Sequence, residues 1–162
     1  MRYHASDSRH SIERFGLKEV NTMTFNRLYI GEDVDLRLRN LKGRTGLTPN
    51  LLCRLGFCLS LAEQGIPDPH LYAEGQVREF NRYTLTGQWD VFFFALLRER
   101  LVQDGLDPEA DLEAYFKAHL SRGVLMLYQR LKSLEDLAEL VMEAQRKMNS
   151  GQLSLEMERN DV

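Results

Sequence analysis

The sequence is poor in cysteine and has no long apolar run, and each shortage excludes a class of protein. Its 162 residues include two cysteines, Cys53 and Cys58, which form neither a CxxC pair nor a His–Cys cluster. We therefore expect no zinc site and interpret both as reduced core thiols. No apolar run is long enough to span a bilayer, and the first residues lack the apolar stretch of a signal peptide. These absences predict a cytoplasmic protein that does not bind a membrane.

Motifs for catalysis and nucleotide binding are also missing. No HxH, HExxH, P-loop or GxGxxG string occurs. The four histidines are scattered along the chain, at His4, His10, His70 and His119. Glu32, Asp33 and Asp35 are close together but fit a helix start better than a two-metal site. We expect no catalytic residue, no metal and no cofactor, although a lone Tyr29 or Tyr83 that attacks a phosphodiester is an open enzymatic alternative.

The composition is that of an ordinary globular chain with unevenly distributed charge. Hydrophobic residues make up 43% of it and charged residues 28%, in a length that suits one domain. The net charge of −3 conceals a gradient along the chain. Residues 24–54 carry six basic and three acidic residues, whereas residues 86–162 carry nine basic and fourteen acidic ones. This local positive charge permits an anionic partner, although a solvated charged surface is the simpler alternative.

Hydrophobic patterning predicts a mainly helical, compact domain over residues 23–144, between a poorly ordered arm at residues 1–22 and a polar tail at residues 145–162. Thr24 to Ile30 alternates weakly and is predicted as a short strand with Leu28 and Ile30 inward and Arg27 and Tyr29 outward. A lone strand is unstable, so pairing with its own copy across a two-fold axis is the simple solution. An extended arm that merely packs is the alternative.

Two helices are predicted after this strand. Val34, Leu38 and Leu41 form one apolar stripe, and Gly46 suits the left-handed residue that ends the first helix. Thr48 is a suitable N-cap for the second helix, Thr48–Glu63. The order of strand, helix and helix predicts a unit like the ribbon-helix-helix fold.

The second helix is apolar on nearly every side. Such a helix must be surrounded by protein, which in a chain this short predicts the core of an oligomer. Gly56 lies in its interior and is expected to permit a close helix crossing.

The second half of the chain predicts further helices. Glu79–Gly87 is read as a strand or an ordered loop. A third helix is expected from Thr86 to about Gln103, and another from the Asp107-Pro108-Glu109 start signal onward, with a restart near Ser133.

Basic side chains in and near the predicted strand-helix-helix region are our candidate DNA contacts. Thr48 and Asn50 join them because free N–H groups at a helix start attract phosphate. The candidates are Arg37, Arg39, Lys42, Arg44, Thr48, Asn50 and Arg54, with Arg27 and Arg82 in addition.

Three strings occur in order between Thr24 and Leu140: NLKGRTGLTPNLLCRLGFCLSL, GIPDP and EFNRYTLTGQWDVFFFALLRERL. Read together they resemble the DndE family of DNA sulfur modification proteins. The resemblance implies a small helical homotetramer that binds double-stranded DNA with a preference for nicked duplex. It also implies work with the other Dnd proteins: a cysteine desulfurase, an iron–sulfur protein and an ATPase. These replace a non-bridging phosphate oxygen of the DNA backbone by sulfur in DNA phosphorothioation, a system of the restriction-modification kind.

The expected function is therefore that of a DNA-binding accessory component of DNA phosphorothioation. Three alternatives stay open from the sequence. They are a ribbon-helix-helix transcriptional regulator, a DNA nicking enzyme, and a scaffold that binds its protein partners and ignores DNA.

Overall fold

The structure is a computed structural model that describes residues 25–160, without the side chains of residues 148 and 151–160. The predicted arm at residues 1–22 lies outside the described residues. These residues form two short strands and six α-helices, which confirms the predicted mainly helical class. Single 3-10 turns lie at Pro69–Tyr72 and Gly87–Trp89. The elements are β1 (Arg27–Ile30), α1 (Glu32–Thr45), α2 (Pro49–Ala62), β2 (Arg78–Asn81), α3 (Arg82–Thr86), α4 (Asp90–Gln103), α5 (Leu112–Arg130) and α6 (Glu135–Asn160).

The short sheet is formed within one chain. β1 pairs antiparallel with β2, so that Leu28 lies opposite Phe80 and Ile30 opposite Arg78. Leu28 and Ile30 are buried and Arg27 is exposed, which confirms the predicted facing of β1. β2 supplies the hydrogen-bond partners that a lone strand needs, so β1 does not require its own copy for this purpose. Pairing between copies stays a prediction for the edge of β1 that faces away from β2. The segment left open as strand or loop, residues 79–87, contains most of β2 and all of α3.

Helix α1 follows the prediction. Val34, Leu38 and Leu41 are buried on one side of it. Gly46 has a φ of 73°, and its N–H donates to the carbonyl oxygen of Lys42 at 2.8 Å. This left-handed residue ends the helix and turns the chain directly into α2.

Helix α2 is covered on one side by its own chain. The Thr48 side chain accepts from the N–H of Leu51 at 3.4 Å, which confirms the predicted cap. Leu52, Cys53 and Phe57 are buried. The opposite side, which we call the outer face of α2, has Leu51 and Cys58 exposed and Leu55 and Leu59 partly buried. Cys53 lies in the core as predicted, and burial raises its pKa to about 12, but the core prediction is wrong for the exposed Cys58.

Helices α2 and α5 cross with their backbones in contact. A Cβ built on Gly56 would lie 2.7 Å from the carbonyl carbon of Gly123, and a Cβ built on Gly123 would lie 1.9 Å from the carbonyl oxygen of Gly56. Real Cβ atoms do not approach backbone so closely. The close crossing predicted from Gly56 is confirmed, and Gly123 is its partner.

An aromatic core fills the space beside this crossing. Phe116 of α5 lies 4.7 Å from Phe57 and 4.9 Å from Phe94 between ring centroids. Phe25, just before β1, joins at 5.6 Å from Phe94. The core therefore ties α2, α4 and α5 to the sheet.

The C-terminal end of α2 is held by two arginines. Arg122 donates to the Ser60 carbonyl oxygen at 2.6 Å, and Arg100 and Arg122 both donate to the Gly65 carbonyl oxygen. Cations at this end satisfy unpaired carbonyls and match the helix dipole. His119 is fully buried, with Nδ1 3.0 Å from Ser60 Oγ. Burial, and then the charge of Arg122, lowers the pKa of His119 to about 4.

Two helix starts differ from the prediction. The third helix begins at Asp90 rather than Thr86, because the Thr86 hydroxyl lies 2.8 Å from the Arg82 carbonyl oxygen and closes α3. The Asp107 carboxylate accepts from the N–H groups of Glu109 and Ala110, so it caps a turn. Helix α5 begins after that turn, at Leu112.

The restart near Ser133 is confirmed. The Asp136 carboxylate accepts from the N–H groups of Lys132 and Ser133, and α6 begins at Glu135. Across residues 25–160, no helix is both long and apolar enough to cross a membrane.

The glycine crossing yields a stability prediction. Replacing Gly56 with Ala puts a methyl group against backbone that cannot move aside, so we expect the free energy of unfolding to fall by about 2 kcal/mol or more. Gly43→Ala is the matched control, because Gly43 lies in α1 with nothing within 4 Å of its Cβ position. The control is expected to gain up to about 1 kcal/mol of stability. Urea unfolding followed by circular dichroism measures both, and equal stability of the two variants would contradict the close crossing.

Candidate nucleic-acid interface

The basic residues of α1 fall into two groups, one on each side of its buried stripe. Arg37 and Arg44 are seven residues apart and therefore lie on one side of the helix. Arg39 and Lys42 are three residues apart and lie together on the other side. The predicted candidates on α1 thus do not form a single row.

Arg44 rests on a tyrosine of α5. Its guanidinium carbon lies 4.5 Å from the centre of the Tyr128 ring, and its Nη2 donates to the Tyr128 hydroxyl at 3.2 Å. The guanidinium carbon of Arg37 lies 5.6 Å from the same ring, and this side chain also bonds the Asp33 carboxylate. Arg44 has no carboxylate partner among the described residues.

Arg39 shares a buried carboxylate with an arginine of β2. Arg39 Nε lies 3.1 Å from the Asp35 carboxylate, and Arg78 bonds the other oxygen of the same group. One carboxylate therefore serves two guanidinium groups and leaves positive charge uncompensated. The Lys42 ammonium is exposed, and no described side chain pairs with it.

The start of α2 continues this basic region. Thr48 is exposed, and Asn50 is partly buried. Arg54, one turn further, points toward α3, where Nε donates to the Leu85 carbonyl oxygen at 2.6 Å and Nη2 to that of Thr84 at 3.2 Å. The structure therefore uses Arg54 to hold the end of α3, although no carboxylate within residues 25–160 neutralises its charge.

Arg27 and Arg82 lie in contrasting surroundings. Arg27 is on the exposed side of β1, 3.3 Å from the Glu79 carboxylate. Arg82 is buried, with Nε and Nη2 donating to the two oxygens of Asp90 at 3.0 and 2.8 Å. Burial alone raises the pKa of Asp90, but hydrogen bonds from Arg82 and Thr86 bring it below its usual value. We leave Arg82 out of the candidate interface because contact with DNA would break this pair.

Sequence reasoning missed three residues of this region. Arg78 lies in β2, which the polar string around it did not predict. Tyr128 lies in the last turn of α5 and Lys132 lies two residues beyond its end, with its ammonium 5.7 Å from the centre of the Tyr128 ring. The approach of Lys132 to Tyr128 depends on how the chain turns after α5, which the sequence does not show.

The structure offers little for a metal-dependent reaction. Within the part of the chain that it describes, no three His, Cys, Asp or Glu side chains are placed to hold a metal ion. Tyr83 is exposed and lies with its ring centre 4.7 Å from the guanidinium carbon of Arg82.

Comparison with known proteins identifies relatives. The family model of the DNA sulphur modification protein DndE matches residues 27–135, from β1 to the start of α6. Among solved structures, the crystal structure of DndE from Escherichia coli B7A, involved in DNA phosphorothioation modification, is similar with a TM-score of 0.54 and 25% sequence identity. The match covers 65% of this chain and 99% of that chain. No curated protein matches the sequence.

The two contrasting arginines permit a paired test. Arg82→Gln leaves the Asp90 carboxylate with no cation in a site where both side chains are largely buried. We expect it to lower the free energy of unfolding by about 3 kcal/mol. The matched control, Arg27→Gln, breaks a pair whose side chains are 66% and 42% exposed, and should cost less than about 1 kcal/mol. Thermal unfolding of both variants measures the difference, and similar losses would argue against a structural role for Arg82.

Proposed function

We propose that this chain, which belongs to the DndE family of DNA sulphur modification proteins, binds the sugar-phosphate backbone of duplex DNA for the DNA phosphorothioation system. Membership of that system is given by the family. The binding role, and the cytoplasmic location that it requires, are our proposal.

The observation that carries the proposal is the exposed positive charge at the end of α1. Lys42 and Arg44 lie in the last turn of this helix, and neither has a carboxylate partner in the region described. Exposed cations of this kind bind DNA by displacing the counterions of phosphate groups. The first turn of α2, with Thr48 and Asn50, follows directly and adds a helix N-terminus that favours anions. The other DNA contacts in this proposal are Arg37, Arg39, Arg54 and Arg27.

A preference for nicked duplex is part of the proposal. The cations of α1 lie on two sides of the helix, so a duplex that bends around α1 reaches both groups. A nick lowers the energy of bending without any base contact. This argument supports shape readout and does not require a preferred sequence.

We assign the sulfur chemistry to the other Dnd proteins. A cysteine attacks as its thiolate, which must be both accessible and easily formed. Cys53 is buried with a pKa of about 12, and neighbouring groups that partly desolvate the thiol of Cys58 also raise its pKa, although the residue is exposed. The cysteines of this chain therefore suit packing better than sulfur transfer, and the part proposed for the chain is to engage the DNA on which its partners act.

The proposed assembly is a homo-oligomer, with the tetramer of the family resemblance as its expected size. The outer face of α2 supports this, because Leu51, Leu55, Cys58 and Leu59 form an uncharged surface. Exposed apolar surface of this kind marks protein–protein contact.

A salt series tests DNA binding. Fluorescence anisotropy measures the affinity for intact and nicked duplexes of one sequence at increasing salt. We expect Lys42→Ala and Arg44→Ala each to flatten the log–log slope by about one unit, since each removes one phosphate contact. Arg98→Ala, which removes an equal charge from α4, where Arg98 pairs with Glu109 of the following turn, is the matched control and should leave the slope unchanged.

Three outcomes, from the anisotropy assay, a footprint and a plasmid assay, separate the alternatives. No binding to either duplex at low salt would refute the proposed role and favour a scaffold. Protection of one sequence in a footprint would indicate a regulator. Conversion of supercoiled plasmid to open circles with added metal would indicate a nicking enzyme.

A substitution on the outer face of α2 tests the assembly. Leu51→Glu places a charge on the apolar surface and should shift the protein toward smaller species in sedimentation velocity, because burying a lone carboxylate is costly. Leu71→Glu is the matched control, since Leu71 is 75% exposed on the turn between α2 and β2. A wild-type protein that sediments as a monomer at micromolar concentration would exclude the proposed oligomer.

A further inference from the structure

Three cations surround one aromatic ring where the ends of α1 and α5 meet. We infer that Tyr128, Arg37, Arg44 and Lys132, which we name the Tyr128 cluster, form a binding site for one phosphate group of the DNA backbone. The inference rests on the proposed function and deepens it, because it adds Tyr128 and Lys132 to the interface.

The three cations lie close to the same ring. The guanidinium carbons of Arg44 and Arg37 lie 4.5 and 5.6 Å from the ring centre, and the Lys132 ammonium lies 5.7 Å from it. Two further contacts hold Arg44, one to the Tyr128 hydroxyl at 3.2 Å and one to the Leu131 carbonyl oxygen at 3.5 Å. Arg44 therefore has a fixed position on the surface, unlike a freely rotating side chain.

The charge of the cluster is only partly compensated. Asp33 bonds Arg37, and the Asp136 carboxylate accepts from the backbone N–H of Lys132. Between residues 25 and 160, Arg44 and Lys132 have no ion pair. The attraction of a cation to an exposed aromatic ring is similar in size to the repulsion of two like charges about 4 Å apart in water. The ring can hold the cations together, but it leaves their charge for an anion to neutralise.

The donors of the cluster suit a phosphate group. A guanidinium presents several N–H groups in one plane and commonly pairs with two phosphate oxygens. The Tyr128 hydroxyl accepts from Arg44 and so keeps its own proton to donate to a phosphate oxygen. Tyr128 is therefore a positioning residue for Arg44 as well as a donor, and Lys132 adds a point charge at the rim.

The inference is tested by Lys132→Gln and Tyr128→Leu in the anisotropy salt series. Lys132→Gln should flatten the log–log slope by about one unit and weaken duplex binding by roughly three- to tenfold at moderate salt. Tyr128→Leu should weaken binding about as much as Arg44→Ala. In a chain that already carries Arg44→Ala its effect should be smaller than in the wild type, because the part that acts through Arg44 is already lost. Lys147→Gln, an exposed lysine of α6, is the matched control and should behave as wild type.

Two added measurements distinguish a loss of the phosphate site from a loss of folding. Urea unfolding shows whether Tyr128→Leu is folded, and Tyr128→Phe, which keeps the ring, should lose less affinity than Tyr128→Leu. Inorganic phosphate is compared with chloride at equal ionic strength as a competitor. Because inorganic phosphate and a backbone phosphate compete for the same cations, phosphate should displace the duplex more strongly than chloride from the wild type than from Lys132→Gln. Equal displacement from both chains would count against a phosphate site in the cluster.

The proposed function and this inference fail differently. A wild-type protein that does not bind duplex refutes both. If Lys42→Ala flattens the salt slope but Lys132→Gln and folded Tyr128→Leu bind as wild type, the Tyr128 cluster is refuted and the DNA-binding role stands.

Discussion

The contact between the backbones of Gly56 and Gly123 is the constraint on which the rest of the structure depends. Because no side chain separates α2 from α5 at this point, the residues next to the two glycines on each helix also come into contact. On one side the rings of Phe57 and Phe116 lie 4.7 Å apart and begin the aromatic core. On the other side Arg122 reaches the carbonyl oxygen of Ser60. The crossing thus fixes which face of α2 is buried and which is left exposed.

The local features of the fold could be predicted from the sequence. Thr48 and Gly46 act through atoms only a few residues away, and the stripe of Val34, Leu38 and Leu41 follows from the helical period alone. The partner of β1 could not be predicted in this way, because REFN is a polar string whose strand forms only when β1 lies beside it. The start of α4 was missed for a similar reason. The hydroxyl of Thr86 closes the preceding helix, and the sequence does not show which of two adjacent helices a cap will serve.

In the candidate site, too, the residue types could be predicted from the sequence but their partners could not. Sequence alone identified the cations of α1, but their availability depends on partners that the fold supplies. Arg82 looks like an exposed cation in its string, yet it is buried on Asp90, eight residues away. Arg54 is held by carbonyl groups thirty and thirty-one residues away. Arg39 and Asp35 were in helical register and could have been recognised as a pair, whereas the contribution of Arg78 required the sheet. Lys42 and Arg44 have no ion-pair partner, because the fold brings no carboxylate to them within the described region.

The packing of His119 at the C-terminal end of α2 makes the stability of the fold depend on pH. Neutral His119 is buried beside Ser60 with a pKa of about 4, well below the ordinary histidine value of 6.5. At any pH between these two values the unfolded chain binds a proton at this residue that the folded chain does not. Acid therefore favours unfolding through His119, and the stability that neutral His119 gives is present above pH 6.5 and is lost as the pH falls toward 4. Proton uptake and the anchoring of α2 are thus linked through one imidazole ring.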